Sequence, residues 1–285
     1  MAQRAIQHPG PVGEQRVDVV PVALRRLDVL LQPGQTLLQA LVAALPAGTR
    51  SAVLTLGSGA LFPLAYVMPA LSKTAEHAVY FSDRFDAAAP VQLHEASVTF
   101  GQRDGQPWLH CHARWAASDG TPHCGHLLPE DAVLTAPMPA TAWILDGAAF
   151  EVVPDAETRF TLFRPVAGEP AGSTAGPAVA VRLAPNEDVC TALEAVCRQL
   201  GWRGASVRGG VGSTVGAVFD NGHTVEPFVT EVLIRQGHIQ PGADGALRAD
   251  IDVSLVDYTG GLASGRLARG ANPVLVTFEL VLQAD

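Results

Sequence analysis

Three histidines stand at a spacing that suits a metal ion. His110 and His112 alternate in the run Trp108-Leu109-His110-Cys111-His112-Ala113, and in a strand residues i and i+2 point to one face. Asp119-Gly120 marks a tight turn, and the chain returns through Cys124-Gly125-His126-Leu127-Leu128. His126 can therefore face the pair across a hairpin. Three neutral imidazoles, each roughly 2.0–2.1 Å from one ion, leave a fourth position open. A site of that kind can acidify a bound water to a pKa of about 7, unlike a closed structural zinc. A single strand histidine is ordinarily a surface or core residue; the third histidine, one hairpin away, lifts the pair above that reading. His123 and Cys124 are candidate fourth ligands. Glu95 and Asp119 are candidate acid–base groups, and Gly125 leaves room for a metal or a backbone to approach. His77 and His94 lie apart from the cluster.

The elements that must position these residues occur twice. Leu31 to Leu41 reads as a strand end, a Pro-containing turn, a helix N-cap (Thr36) and an amphipathic helix; Leu183 to Leu193 repeats this with Asp188 as the cap. A side-chain oxygen at the cap satisfies free helix N–H groups. Both helices are predicted to run about ten to thirteen residues. Each leads into a β-like run and a Gly-rich turn, Ser51 to Leu56 then Gly57-Ser58-Gly59, and Ala205 to Arg208 then Gly209 to Gly212. The strand His94 to Gly101, which holds Glu95, is matched by Thr230 to Gly237, which holds Glu231. Asp104-Gly105 and Asp244-Gly245 are hairpin dipeptides, followed by strands Trp108 to Ala116 and Leu247 to Val256.

These signals predict an α+β protein made of two tandem copies, each an antiparallel β-sheet with one packed helix. The bounds are an N-terminal extension (1–20), a first domain with the three-histidine site (21–166), a Gly/Pro/Ser/Ala linker (167–177) and a second domain (178–285). One helix covers one face of each sheet. The other face needs cover from the sister copy or from another subunit. In the second copy Asp250, Asp252 and Arg266 stand where the first has His110, His112 and His126. Two carboxylates and a guanidinium form either an internal charge network or an anion site suited to a carboxylate ligand.

Bulk composition narrows the function classes. The chain is 48% hydrophobic and 16% charged, with a net charge of −9, so it is globular and gains no electrostatic help toward DNA. No apolar run reaches membrane-span length and no signal peptide is legible, so a cytoplasmic location is expected. The four cysteines, Cys111, Cys124, Cys190 and Cys197, are then expected to be reduced. Cys190 and Cys197 share a helix face and read as buried small hydrophobes.

At Glu95 to Gly101, Asp104 to His112, Gly120 and Cys124 to Leu128 the chain resembles the plant and prokaryote conserved domain, the PPC domain. Its pattern is an H-x-H strand, a D-G turn and G-G-H-L; Cys124 stands where that last motif has its first Gly. The resemblance covers about Leu27 to Pro165, and more weakly Val179 to Leu282. It implies an antiparallel sheet with a packed helix, trimers, and a divalent metal, with zinc favoured, on His110, His112 and His126. It also brings a DNA-binding label, but no R-G-R-P hook occurs in this chain. The expected function is a metal- or small-ligand-binding module. A metal-dependent enzyme on a small polar substrate is the alternative, and DNA binding is disfavoured by charge.

Overall fold

The computed structural model describes residues 4–168 and 177–285. The first half runs β1 (Val17–Leu31), α1 (Leu37–Ala44), β2 (Ala52–Leu56), β3 (Gly59–Val67), β4 (Pro69–Leu71), β5 (Val79–Phe81), β6 (Phe85–Asp86), β7 (Val91–Arg103), β8 (Gln106–Ala116), β9 (Pro122–Leu134) and β10 (Met138–Asp146). A hairpin of β11 (Ala148–Pro154) and β12 (Thr161–Ala167) follows. The second half runs β13 (Pro177–Leu183), α2 (Val189–Gln199), β14 (Ala205–Val218), β15 (Thr224–Pro241), β16 (Leu247–Asp257), β17 (Leu262–Arg266) and β18 (Val274–Ala284).

The two halves share one strand order. It is β1-β10-β2-β7-β8-β9 in the first and β13-β18-β14-β15-β16-β17 in the second. Their first strands pair antiparallel, Val17 with Leu183 through Ala23 with Pro177, which fuses both halves into one sheet. That join begins inside the stretch expected to be an extension, because the apolar run from Val17 continues the strand. The expected linker lies mostly outside the described residues, which resume at Pro177. The first half carries extra strands, β3 to β6, between β2 and β7.

Both helix starts are as the sequence predicts. Thr36 forms a reciprocal capping box with Gln39, and Asp188 accepts from the Thr191 N–H. Helix α1 is shorter than predicted, at 8 residues. Leu45, which precedes Pro46, is extended, the conformation that a following proline imposes. Buried Leu37, Ala40 and Leu41 face the first core. Val189, Cys190, Leu193 and Cys197 face the second.

The remaining face of each half packs on the other half. Val53 of β2 shares a cluster with Ala180 and Val281, and Cys124 shares one with Leu233 and Val256. The layers are thus helix, half-sheet, half-sheet, helix, and the cover that the composition demanded comes from the sister half. Gly209 makes this approach possible, while its neighbour Gly210 admits Ile234 and Leu280 of its own half. They lie within β14, at a register shift, and do not form the predicted turn. Their φ values are +62° and +135°, and a Cβ on Gly209 would sit 2.7 Å from Val53 Cβ.

Candidate metal centre

The histidine hairpin forms in the predicted register. His112 and His126 are direct cross-strand partners on β8 and β9, and His110 follows on the same face. The turn between β7 and β8 is Asp104-Gly105, both at positive φ, as a two-residue hairpin of the I′ type requires. One imidazole nitrogen from each of His110, His112 and His126 lies within 4.8 Å of the other two.

The second half completes the surroundings. Glu279 of β18 bonds His110 Nδ1. The Val232 carbonyl of β15 lies 2.9 Å from His112 Nδ1 and can only accept its proton. Glu231 Oε1 lies 3.9 Å from His112 Nε2 and 4.0 Å from His126 Nδ1. His126 Nδ1, Glu231 Oε2 and Glu279 Oε2 are buried without a hydrogen-bond partner. The site therefore lies between the two half-sheets, at a place that neither half could form alone.

This arrangement fixes which nitrogens are free. His112 uses its proton on Val232, so its Nε2 presents a lone pair. Glu279 bonds His110 Nδ1, so the Nε2 of that ring is the nitrogen turned toward His112. The two Nε2 atoms face each other at 3.0 Å, a spacing that either a proton shared between the rings or a cation bound by both satisfies. Two imidazoles on a tetrahedral ion at roughly 2.0–2.1 Å would hold their nitrogens about 3.3 Å apart. Burial, and then the charge of His110, pushes His112 well below the ordinary histidine range, against the Val232 carbonyl. Burial, followed by the charges of His110, His112 and Arg103, does the same to His126. Burial drives Glu231 well above the usual carboxylate range, against a His126 backbone N–H. Neutral imidazoles and an orphaned carboxylate beside them fit a divalent cation.

Several sequence-predicted candidates lie elsewhere. Cys124 faces Leu233 and Val256 in an apolar cluster, and burial raises its thiol far above the ordinary range. His123 stacks on Trp115, with ring centroids 5.8 Å apart. Glu95 accepts from Ser254 at 3.0 Å and pairs with Arg235 at 3.2 Å, so it faces the second half instead of the histidines. Asp119 is exposed at its turn, where it caps Thr121. Gly125 makes room for backbone, not metal: a Cβ there would be 2.9 Å from the Val67 carbonyl oxygen. His94 is exposed, and His77 packs on Phe160. All four cysteines are free and buried.

In the second half Asp252 pairs across the strands with Arg266, the register of His112 and His126. Arg266 bonds Asp250 at 2.6 Å, while Asp252 turns to Arg235 at 3.6 Å. The three side chains therefore split between two exposed ion pairs and do not gather on one point. Exchange between the halves is reciprocal. Glu231 serves the histidines of the first half, and its counterpart Glu95 reaches the charged network of the second.

Residues 171–284 match the family model of the Plants and Prokaryotes Conserved (PCC) domain. The second half of the chain is a PCC domain. The match falls on the half without the three-histidine cluster, whereas the motif resemblance rests mainly on the first. The first half interrupts the shared strand order with β3 to β6; the PCC domain does not. No curated protein matches the chain. Among solved structures, a metal-containing protein from Archaeoglobus fulgidus is 18% identical with a TM-score of 0.40, covering 50% of this chain and 94% of its own. A PPC protein from Pyrococcus horikoshii is 16% identical with a TM-score of 0.41, covering 55% and 99%. A protein from Ralstonia eutropha for which DNA binding is suggested is 15% identical with a TM-score of 0.35, covering 50% and 90%. No helix among the described residues is long and apolar enough to cross a membrane.

Proposed function

We propose that the chain is a metal-binding protein in which both halves derive from the PCC fold and the first half's histidines hold one divalent ion. The convergence of one nitrogen from each of the three imidazoles within 4.8 Å carries this reading, with the Nε2 atoms of His110 and His112 3.0 Å apart. His110, His112 and His126 are the ligands, and Glu279 and Val232 orient two of them, as carboxylates and carbonyls do behind metal-bound histidines. Zinc fits three imidazoles with an open position; iron, nickel and copper fit imidazole as well. The role that follows is binding or sensing of a small ligand at the open position.

Glu231 supports a second reading, metal-dependent catalysis on a small polar substrate. A divalent ion at this place supplies Lewis-acid chemistry. Glu231, buried at about 4 Å from two of the imidazoles, is placed to hold or accept a proton beside the open position. DNA binding finds no support in a net charge of −9. Assembly into trimers is a separate proposal resting on the motif resemblance, and the mass by light scattering tests it. Zinc titration into chelator-stripped protein tests the main reading: one ion per chain is expected, and no uptake would end it.

A further inference from the structure

The triad occupies only the inner end of a larger space. A cavity of about 490 Å³ opens over it, lined by residues of both halves. Aromatic side chains stand on its walls, Tyr80, Phe81, Trp108, Phe160 and Phe163. Phe81 meets the His126 ring edge-on at 5.2 Å and the Phe160 ring at 6.2 Å. Trp108 lines the same space two residues before His110 on one face of β8, a separation of roughly 7 Å along a strand.

One cation lies on this wall beyond the histidines. Arg103 lines the cavity, with its guanidinium 4.0 Å from the centre of the Trp108 ring. Among the described residues it makes no side-chain hydrogen bond or ion pair. The acidic side chains of the lining are otherwise placed: Asp131 pairs with Arg84 at 2.8 Å, Glu279 with His110, Glu231 is buried beside the triad, and Glu130 is exposed. A guanidinium held over an indole without other partners keeps N–H groups free, and these match a carboxylate in a bidentate pair.

We infer that the cavity takes an organic acid with a flat apolar body. Its carboxylate lies on Arg103, its body lies against Trp108, Phe81 and Phe160, and a second oxygen donor, carboxylate or carbonyl, reaches the triad roughly 7 Å away. The inner contact rests on the metal reading. The contact with Arg103 does not.

Calorimetric titration of terephthalate, benzoate and benzamide into the zinc-loaded and the chelator-stripped protein tests this. Stripped wild type should bind benzoate roughly 10–100-fold more tightly than benzamide, the range for a hydrogen bond to a charged group. Arg103→Gln should abolish that difference and Arg103→Lys should keep part of it. Zinc-loaded protein should bind terephthalate at least about tenfold more tightly than benzoate, and stripping should remove that gain. Equal binding of benzoate and benzamide, or an unchanged Arg103→Gln variant, overturns the inference. If the protein takes up no zinc, the terephthalate gain disappears while the Arg103-dependent preference for benzoate stays, so the two failures are distinguishable.

Discussion

Glu279→Gln separates the orientation of a ligand from the ligand itself. Glu279 is 0% exposed, bonds His110 Nδ1 and leaves its second oxygen without a partner. Glutamine keeps the shape and can still accept from the ring N–H, but the bond loses its charge. Removing such an outer partner costs roughly 10–100-fold in metal affinity, or about 1.4–2.7 kcal/mol. The metal-free fold should behave differently, because the substitution removes a buried carboxylate that is only half satisfied. Its thermal midpoint should stay level or rise, while the further rise on adding zinc should shrink, since that rise scales with the logarithm of metal over Kd. The assay is competition against a chromophoric chelator at fixed pH, alongside melting curves with and without zinc. An unchanged zinc Kd in a folded variant would refute the orienting role. An equal fall in the metal-free midpoint would show that Glu279 acts on the fold.

Three further outcomes follow from the packing. Asp155 sits among Thr158, Arg164 and Arg182, with Arg182 Nη2 at 3.1 Å. Burial alone would raise its carboxyl, but the Thr158 bonds and the two guanidiniums outweigh this and hold it below the ordinary range. A depressed carboxylate adds stability above its unfolded pKa, about 3.9, that is lost as pH falls through the folded value. Asp155→Asn should therefore cost about 3–5 kcal/mol at neutral pH by leaving Arg182 buried without its nearest counter-charge, with the deficit narrowing in acid; urea melts from pH 7 to 3 read this. Gly34→Ala, at φ +81° with open space around it, should cost only about 1–2 kcal/mol in the same melts. Gly209→Ala should cost roughly 1–3 kcal/mol more, because its methyl meets Val53, and equal losses would deny that this contact limits how closely the half-sheets pack. In a gel-shift series around physiological salt, no retardation of duplex DNA is expected; a shift that weakens steeply with salt would contradict the charge argument.

Much of the fold could be read locally. The caps at Thr36 and Asp188, the Asp104-Gly105 turn and the alternation through His110 and His112 depend on neighbours in sequence, and all formed. Even the correspondence of His112 with Asp252 and of His126 with Arg266 survives as cross-strand register. What the sequence did not disclose is how the halves meet. Glu279 lies 169 residues from His110, so no periodicity links them. A faint signal existed: Glu279 is the single charge in the apolar run Val274 to Leu282, and Arg182 is the same in Ala178 to Leu183. A lone charge at a buried strand position asks for a partner. The same long-range contact explains why Gly209 and Gly210 read as a turn. Locally they resemble one, and only the facing Val53 and Ile234 show why a side chain is excluded. Glu95 reads as an acid–base group of the histidine site for the same reason. Its side chain serves no histidine but bonds Ser254 and Arg235 of the second half, because each half lends its glutamate to the other.

The central claim is that three histidines from one hairpin hold a metal between the halves. Elemental analysis of the purified wild type beside His112→Ala tests it most directly. His112 is buried, with its Nε2 3.0 Å from that of His110, so its loss removes a ligand. About one divalent ion per wild-type chain and a near-complete loss in the variant are predicted. A wild type without metal after zinc, iron or manganese is restored, or a folded variant that keeps the full complement, would contradict the account.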